Sequence, residues 1–556
     1  MNKTPITLSL AFICGCIFYA ILNGSWPEIF IFTTDPSLSS ITRLMQAPIH
    51  LSDDVMISLR SGYILNAIGL PAFNHFDLAQ PSTSYLAPYL FAILLKLFSG
   101  NTPIILYAGI GLACVFLSLC IIAYGARSQI NAMCIIGLLS LTTTNFGYAL
   151  NGWDHLFQAL FLCIATALVF KGVNYKSIDL YCVGTFLAIA VLFRPDGILL
   201  AITILIALYI SLKTTKRIFQ ALLPFFSIIF AGLLINVLQF GTLTPTTTRL
   251  KLGASPSLQY SWEYFLNYGV FEYSAITLLF LFLIFYLVFK KLSSRKEDVV
   301  IFIGCLITFS VSFYNSDVFG GGRMFWSSAC IMGVILAHNF PSLISRQYTA
   351  SIIFRNSTNT FLIVIGLVAI SFLALNLPAL LKQKFSASVI SDTKFYNSPI
   401  AQQYQIAKWI NSNLSPSNGS IGFFYLGVSY YLPGFEIADF LGKADEVIAS
   451  TPVKWGPPGH NKWDIDKTLN KWDLQAIVPT LNSDRNTPEA LSKANDDVKK
   501  QVAWRYTAEL LLSDTVHKKF DYCYLKESSS KLTTDKFGFF LRKDIALQHS
   551  QSLRCN

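Results

Sequence analysis

Two neighbouring carboxylates, Asp53 and Asp54, open the run Ser52-Asp53-Asp54-Val55-Met56-Ile57-Ser58-Leu59-Arg60 in a chain of which only 13% is charged. A carboxylate set against a hydroxyl can take its proton as the oxygen attacks, an effect typically of about 10² to 10⁴ in rate. Arg194, Arg249, Lys251 and Arg323 are the matching cations. Fixed positive charge holds an anionic leaving group, and the planar fork of arginine fits two phosphate oxygens. Acids and cations gathered in one place therefore suit transfer of a group from a lipid-linked phosphate. The two acids cannot share one task, because residues i and i+1 of a helix point apart. Asp53 is expected as general base and Asp54 as its support. Like charge and partial burial should raise one of the two above the ordinary aspartate value of about 3.9. Taken alone, the pair reads equally well as an N-cap followed by a first-turn acid that complements the helix dipole.

Positioning these groups requires a scaffold. Val55, Leu59 and Tyr63 recur at i, i+4 and i+8, one face of a helix that begins at the acids. Around it the chain is strongly apolar, with 53% hydrophobic residues and a mean hydropathy of +0.50 over 556 residues. Apolar runs of about 16 to 24 residues, long enough to cross a bilayer, recur through the first two-thirds. Spans are expected near 5–23, 103–124, 132–150, 155–170, 178–193, 197–212, 218–240, 273–290, 299–314, 325–340 and 358–378, about eleven. The first is expected to be retained, since no small-residue cleavage site follows it. Tyr85–Phe98 is apolar but short for a span, and suits a helix lying in the interface.

Charge gives this scaffold an orientation. With the N-terminus in the cytoplasm, the loops on that side hold thirteen basic residues, among them Arg127, Lys213, Lys216, Arg217, Lys290, Lys291 and Arg295. The opposite short loops hold only four, Arg194, Arg249, Lys251 and Arg323. This positive-inside bias accounts for the net charge of +11 without a nucleic-acid partner. Counting Tyr85–Phe98 as a span would reverse the bias. An odd number of spans then places residues 380–556 outside the cytoplasm. That tail has ordinary polar composition, a helical pattern over Pro399–Ser412 and strand-like runs at Ile421–Leu426, Phe435–Phe440, Ala476–Thr480, Asp521–Lys526 and Phe537–Arg542. The expected fold is a polytopic α-helical membrane protein, residues 1–379, with a first outer loop over about 24–102. A soluble extracytoplasmic α/β domain follows, residues 380–556. Nine of the eleven cysteines lie in apolar runs, whereas Cys523 and Cys555 lie in the polar tail and could pair in an oxidising compartment.

The outward loops collect the chemistry: Asn151-Gly152-Trp153-Asp154-His155, Arg194-Pro195-Asp196-Gly197, the stretch Gly241–Lys251, and Asp317–Arg323. Ionisable residues at a membrane boundary are costly and stand as functional candidates. Each also has a plain alternative. Arg194 suits a residue snorkelling at a helix end, Arg249 and Lys251 suit interfacial anchors, Asp154 suits a helix cap, and Gly320–Gly322 suits a turn. No HExxH, clustered Cys/His or Walker-type loop is present in the sequence, so no resident metal or nucleotide is expected. A divalent cation assisting the phosphate stays open.

The same residues resemble the GT-C superfamily of membrane glycosyltransferases that use polyprenyl-phosphate sugars, and within it the arabinofuranosyltransferase group. The motif DDxxIS-x-R is matched by Asp53 to Arg60, the following Gly-Leu by Gly69-Leu70, and the R-P-[ED]-G turn by Arg194 to Gly197. The stretch G-x-x-x-P-x-T ending in lysine is matched by Gly241, Pro245, Thr247 and Lys251. The outer-domain segment D-x-x-G-x-x-D…G-H is matched by Asp439-Phe440-Leu441-Gly442-Lys443-Ala444-Asp445 and Gly459-His460. The matches keep their order across nearly the whole chain. Two departures stand out: Gly321-Gly322-Arg323 replaces a glycine-glycine-acid turn, and Asn151-Gly152-Trp153-Asp154 replaces a Gly-Leu-Glu.

The resemblance implies transfer of arabinofuranose, with inversion, from a polyprenyl-phosphate donor to an extracytoplasmic glycan or pilin-like protein, in a bacterial inner membrane. Asp53 and Asp54 are then the catalytic candidates. Arg194, Arg249, Lys251 and Arg323 are those for the donor phosphate, and Arg60, Asp154, Asp196 and His460 are those for the acceptor. A GT-C transferase of mannose or aminoarabinose, onto protein or lipid A, fits the same residues. A lipid-linked sugar flippase fits them less well, since the sequence has no internal repeat and the acids sit in loops rather than mid-span.

Overall fold

The structure is a computed structural model and describes residues 30–31, 49–51, 53–125, 153–170, 175–212, 214–252, 262, 296–315, 325–345, 399–454, 459–479, 505–526 and 538–555. In chain order, the short strands β1 (Phe30–Ile31) and β2 (Ile49–His50) pair antiparallel. They precede helices α1 (Asp53–Ile68), α2 (Ala87–Leu97), α3 (Thr102–Gly125), α4 (Asp154–Phe170), α5 (Ser177–Phe193) and α6 (Ile198–Leu212). Next come α7 (Thr215–Phe240), α8 (Thr246–Leu252), α9 (Lys296–Asn315), α10 (Trp326–Ser345) and α11 (Pro399–Asn413). The remaining elements are β3 (Ser420–Phe423), β4 (Ile437–Asp439), α12 (Glu446–Ala449), α13 (Ile465–Lys471), β5 (Leu474–Val478), α14 (Arg505–Leu511), α15 (Asp514–Lys519), β6 (Phe520–Leu525), β7 (Gly538–Arg542), α16 (Lys543–Gln548) and β8 (Leu553–Cys555).

Seven of the expected spans coincide with helices, α3 to α7, α9 and α10. Those near 5–23, 132–150, 273–290 and 358–378 lie outside the described residues, as does Arg323. Among the described residues three helical stretches, Thr102–Gly125, Pro195–Leu212 and Thr215–Phe240, are long and apolar enough by composition to cross a membrane. Helix α2, within the apolar stretch rejected as a span, has 11 residues and is too short to cross.

The described contacts divide the chain into two compact units. One comprises Met1–Pro27, Ala108–Gly232 and Ser257–Val389, and the other Glu28–Tyr107, Leu233–Pro256 and Ile390–Asn556. The C-terminal segment thus shares its unit with the first outer segment and with the stretch after α7, rather than standing alone from residue 380.

The second unit is built on a six-stranded sheet in the order β4-β3-β5-β7-β6-β8. Strand β3 runs parallel to β4 and β5, while β5–β7, β7–β6 and β6–β8 are antiparallel. Strands β3, β4 and β5 are buried at every position, as expected for parallel strands covered on both faces. Five strands match runs read from the sequence, and β8 is a sixth that the sequence reading does not contain. Cys523 and Cys555 are opposed in the β6–β8 register and joined by a disulfide. Closing a loop of 32 residues in sequence is worth about 3–4 kcal/mol in the chain-entropy picture. The variant Cys555→Ser is therefore expected to lower the unfolding midpoint and fray β8. Peptide mapping of the native protein should recover the linked pair; free thiols at both positions would contradict the pairing.

Helix α1 belongs to this unit's core. Val55 to Gly62 are buried on every side, and Ile57 and Phe73 pack with the interior of the sheet domain. The single-face reading was too narrow, since Tyr63, assigned to the buried stripe, is exposed. Gly62 allows the close crossing of α2: a Cβ there would stand 2.7 Å from that of Phe91 and 2.8 Å from the Pro88 carbonyl oxygen. Arg60, expected at the acceptor, is instead buried at 1% exposure and committed to the backbone. Its guanidinium donates to the carbonyls of Phe73, Ser429, Leu432 and Phe435 at 2.6 to 3.0 Å. It also stands over the Phe73 ring. The methionine variant would strand the buried carbonyls of Phe73 and Phe435, since those of Ser429 and Leu432 also accept from the Leu432 and Phe435 N–H groups. A stability loss of about 3 kcal/mol or more is expected for Arg60→Met, read as a lowered unfolding midpoint in detergent.

Candidate active site

The first turn of α1 carries Asp53 and Asp54. Asp53 is buried with both oxygens occupied. Oδ1 accepts from the Gly427 N–H at 2.6 Å, and Oδ2 accepts from the Lys443 ammonium at 2.7 Å. The same ammonium lies 3.9 Å from Asp54, whose side chain keeps 25% of its exposure against 2% for Asp53. Burial raises the Asp53 carboxyl above its ordinary value and the neighbouring Asp54 adds to it, while Lys443 and Gly427 oppose. Burial pulls the Lys443 amine down, but Asp53 and Asp54 outweigh it and raise it above the usual lysine value. Carboxylate and ammonium face each other at 2.7 Å as a buried pair.

Lys443 is placed by the turn that follows β4. Asp439, at the end of the strand, accepts from the N–H groups of Leu441 and Ala444 at 2.8 and 2.5 Å. Gly442 has φ +76°, and a Cβ there would meet the Ala449 nitrogen at 2.6 Å, so only glycine fits. Asp445 closes the turn by capping α12 through Val447 and Ile448. Burial pushes the Asp439 carboxyl up to about 6, against the two N–H bonds that lower it.

Helix α8 brings further cations into the same unit. Arg249 pairs with Glu446 at the start of α12. The Lys251 side chain lies beside Gly459, its Cε 3.6 Å from where a Cβ would stand. His460 follows that glycine. Its imidazole is held well below the ordinary histidine value, first by burial, then by Lys443 and Lys251, with Asp54 opposing. It is therefore neutral at pH 7. A depressed folded value gives stability that is present above the unfolded value near 6.5 and lost as pH falls below it. Between pH 7 and 5 the unfolding midpoint of the wild type is expected to fall more than that of His460→Gln. Asp439 is common to both proteins and drops out of the difference.

The remaining candidates lie in the other unit, gathered on one another. Arg194 is buried and donates to Asp154 at 3.0 Å and to Asp196 at 2.8 Å. Gln158 donates to the Arg194 carbonyl and to Asp196, and Ser327 donates to Gln158. One arginine between two carboxylates offers no surplus positive charge for a phosphate. Arg194 was expected to hold the donor, and Asp154 and Asp196 the acceptor; these three instead tie the start of α4 to the turn before α6.

Sequence reasoning missed Lys443 as a site residue, although it stands inside the segment Asp439–Asp445. A lysine in a tight turn between two acids was the available signal. It also passed over Asn461, which is fully buried with both side-chain amide atoms unbonded beside His460.

The chain matches no protein-family model and no curated protein. Among solved structures it is similar to ArnT from Cupriavidus metallidurans bound to undecaprenyl phosphate, at 13% identity over 80% of this chain and 87% of that one, with a TM-score of 0.45. The apo state of that protein aligns at 14% identity over 79% and 87%, with a TM-score of 0.47. The Archaeoglobus fulgidus oligosaccharyltransferase, tethered by a disulfide to an acceptor peptide containing the NVT sequon, aligns at 12% identity over 96% and 74%, also with a TM-score of 0.47.

Proposed function

We propose that this chain is an inverting membrane glycosyltransferase of the GT-C type, moving arabinofuranose from a polyprenyl-phosphate donor to an extracytoplasmic glycan or pilin-like protein. The observation that carries the reading is convergence. Three segments that bear the family-like motifs, 53–60, 241–251 and 439–460, fold into one unit, where Lys443 bridges toward both acids.

The division of labour between the acids follows from their surroundings. Asp53, locked between Lys443 and Gly427, positions; Asp54, which reaches solvent, is the general base. Asp54 accepts the proton of the acceptor hydroxyl as its oxygen attacks the anomeric carbon from the face opposite the phosphate. The bond from that carbon to the phosphate oxygen breaks, and polyprenyl phosphate leaves carrying the electron pair. Lys251 stabilises the charge that develops there, while Arg249 and Lys443, paired with Glu446 and Asp53, hold the surrounding turns in place. Neutral His460 serves as a hydrogen-bonding partner on the acceptor side.

The test supplies membranes with polyprenyl-phosphate arabinofuranose, and in parallel with the mannose and aminoarabinose donors. Transfer of arabinose label above that of membranes lacking the protein is expected. Transfer from another donor alone would reassign the sugar, and transfer from none would overturn the reading.

A further inference from the structure

We infer that the sheet domain carries a second binding site, for an acidic glycan, in a groove of about 600 Å³ between the C-terminal ends of α13 and α15 and the start of α16. The groove opens at the end of the sheet where β5 and β6 begin and β7 finishes. That is the end opposite the one where β3 and β4 finish, leading to Gly427 and the Lys443 turn. Binding here rests on no step of the proposed transfer.

Charge is the first argument. Lys471, Lys518, Lys519, Arg542 and Lys543 line the groove against two acids, Asp473 and Asp544. Both acids are engaged with Arg542, at 3.0 and 2.8 Å, so they hold its guanidinium in place. Lys471 is neutralised by Asp77 and Asp445. Lys518, Lys519 and Lys543 are exposed, and among the described residues the one ion pair that any of them makes is that of Lys543 with Asp521, at 3.9 Å. The three exposed lysines are the charge the lining leaves over, and a concave surface with a surplus of one sign concentrates the opposite sign; the volume is that of an ordinary ligand site.

The shape of the lining selects the class of anion. Trp472 forms part of the wall, its indole N–H tied to Asp445 at 3.2 Å and the Lys471 ammonium 5.1 Å from the centre of its ring. A ring face with cations around it suits a pyranose bearing carboxylate or phosphate. An acidic peptide would bind best by adding a strand to a sheet edge. The edges here are β4 and β8, and the groove lies at the ends of the interior strands β5, β7 and β6. It offers no edge.

The full-length protein in detergent is titrated with oligogalacturonate by calorimetry, alongside maltooligosaccharide of equal length and poly-L-glutamate. Oligogalacturonate is expected to bind, to weaken with added salt, and to bind about tenfold more weakly to the triple variant Lys518→Gln, Lys519→Gln, Lys543→Gln, as three screened ion pairs would give. The uncharged glycan is expected not to bind. Absence of oligogalacturonate binding, equal affinity in the variant, or equal affinity for the uncharged chain would each overturn the site. Equal affinity for poly-L-glutamate would overturn the glycan class.

Discussion

Lys443→Met is expected to destabilise the protein by about 3–5 kcal/mol, the range for removing one partner of a buried ion pair. The loss arises because Asp53 stays behind, 2% exposed, with only the Gly427 N–H on its carboxylate. The sign of the pH dependence follows from the same geometry. The Lys443 amine is raised in the folded protein, so its contribution is complete below the ordinary lysine value near 10.4 and is lost as pH rises through the folded value. In the variant, Asp53 loses the cation that held it down. Its folded value climbs further, which favours the protonated, folded form at low pH. The deficit of Lys443→Met relative to wild type should therefore be smaller at pH 5 than at pH 8. Adding Asp53→Asn to the variant should recover part of the loss, since an amide can still accept from Gly427 without bringing a charge. Denaturant unfolding of the four proteins of this cycle gives the coupling directly. A Lys443→Met protein as stable as wild type at pH 8 would mean that the pair is not formed.

Asp54→Asn is expected to lower sugar transfer by about 10² to 10⁴ while leaving the unfolding midpoint nearly unchanged. The first figure is that of a general base. The second follows because Asp54 is partly exposed and its first-turn position is worth only about 0.3–1 kcal/mol through the helix dipole. Asp53→Asn should behave differently, losing stability and activity together, because the turn bearing Lys443 is then no longer anchored to α1. The contrast between the two neighbours separates the roles. Transfer by Asp54→Asn at the wild-type rate would end its assignment as base, and a stable but inactive Asp53→Asn would move that task to Asp53.

Periodicity and charge in the sequence located the helices from α3 to α7, α9 and α10, five strands of the sheet, and the two acids at a helix start. Such features are local: apolar length, alternation and a first-turn acid are written within some twenty residues of one another. Tertiary structure alone decided who meets whom. Lys443 and Asp53 are 390 positions apart, and no spacing rule joins a lysine in a tight turn to a carboxylate at a distant helix start. Arg60 is 369 or more positions from three of its four carbonyl partners, and it sat in a motif where the sequence suggested a ligand. Arg194 stood in an outward loop that looked available for a phosphate, yet Asp154, 40 residues earlier, neutralises it. The sequence by itself determined which segments are helical or extended and which carry charge. Only the fold decided which charges cancel inside the protein and which remain for a substrate, because pairing depends on chain crossings that local patterns do not encode.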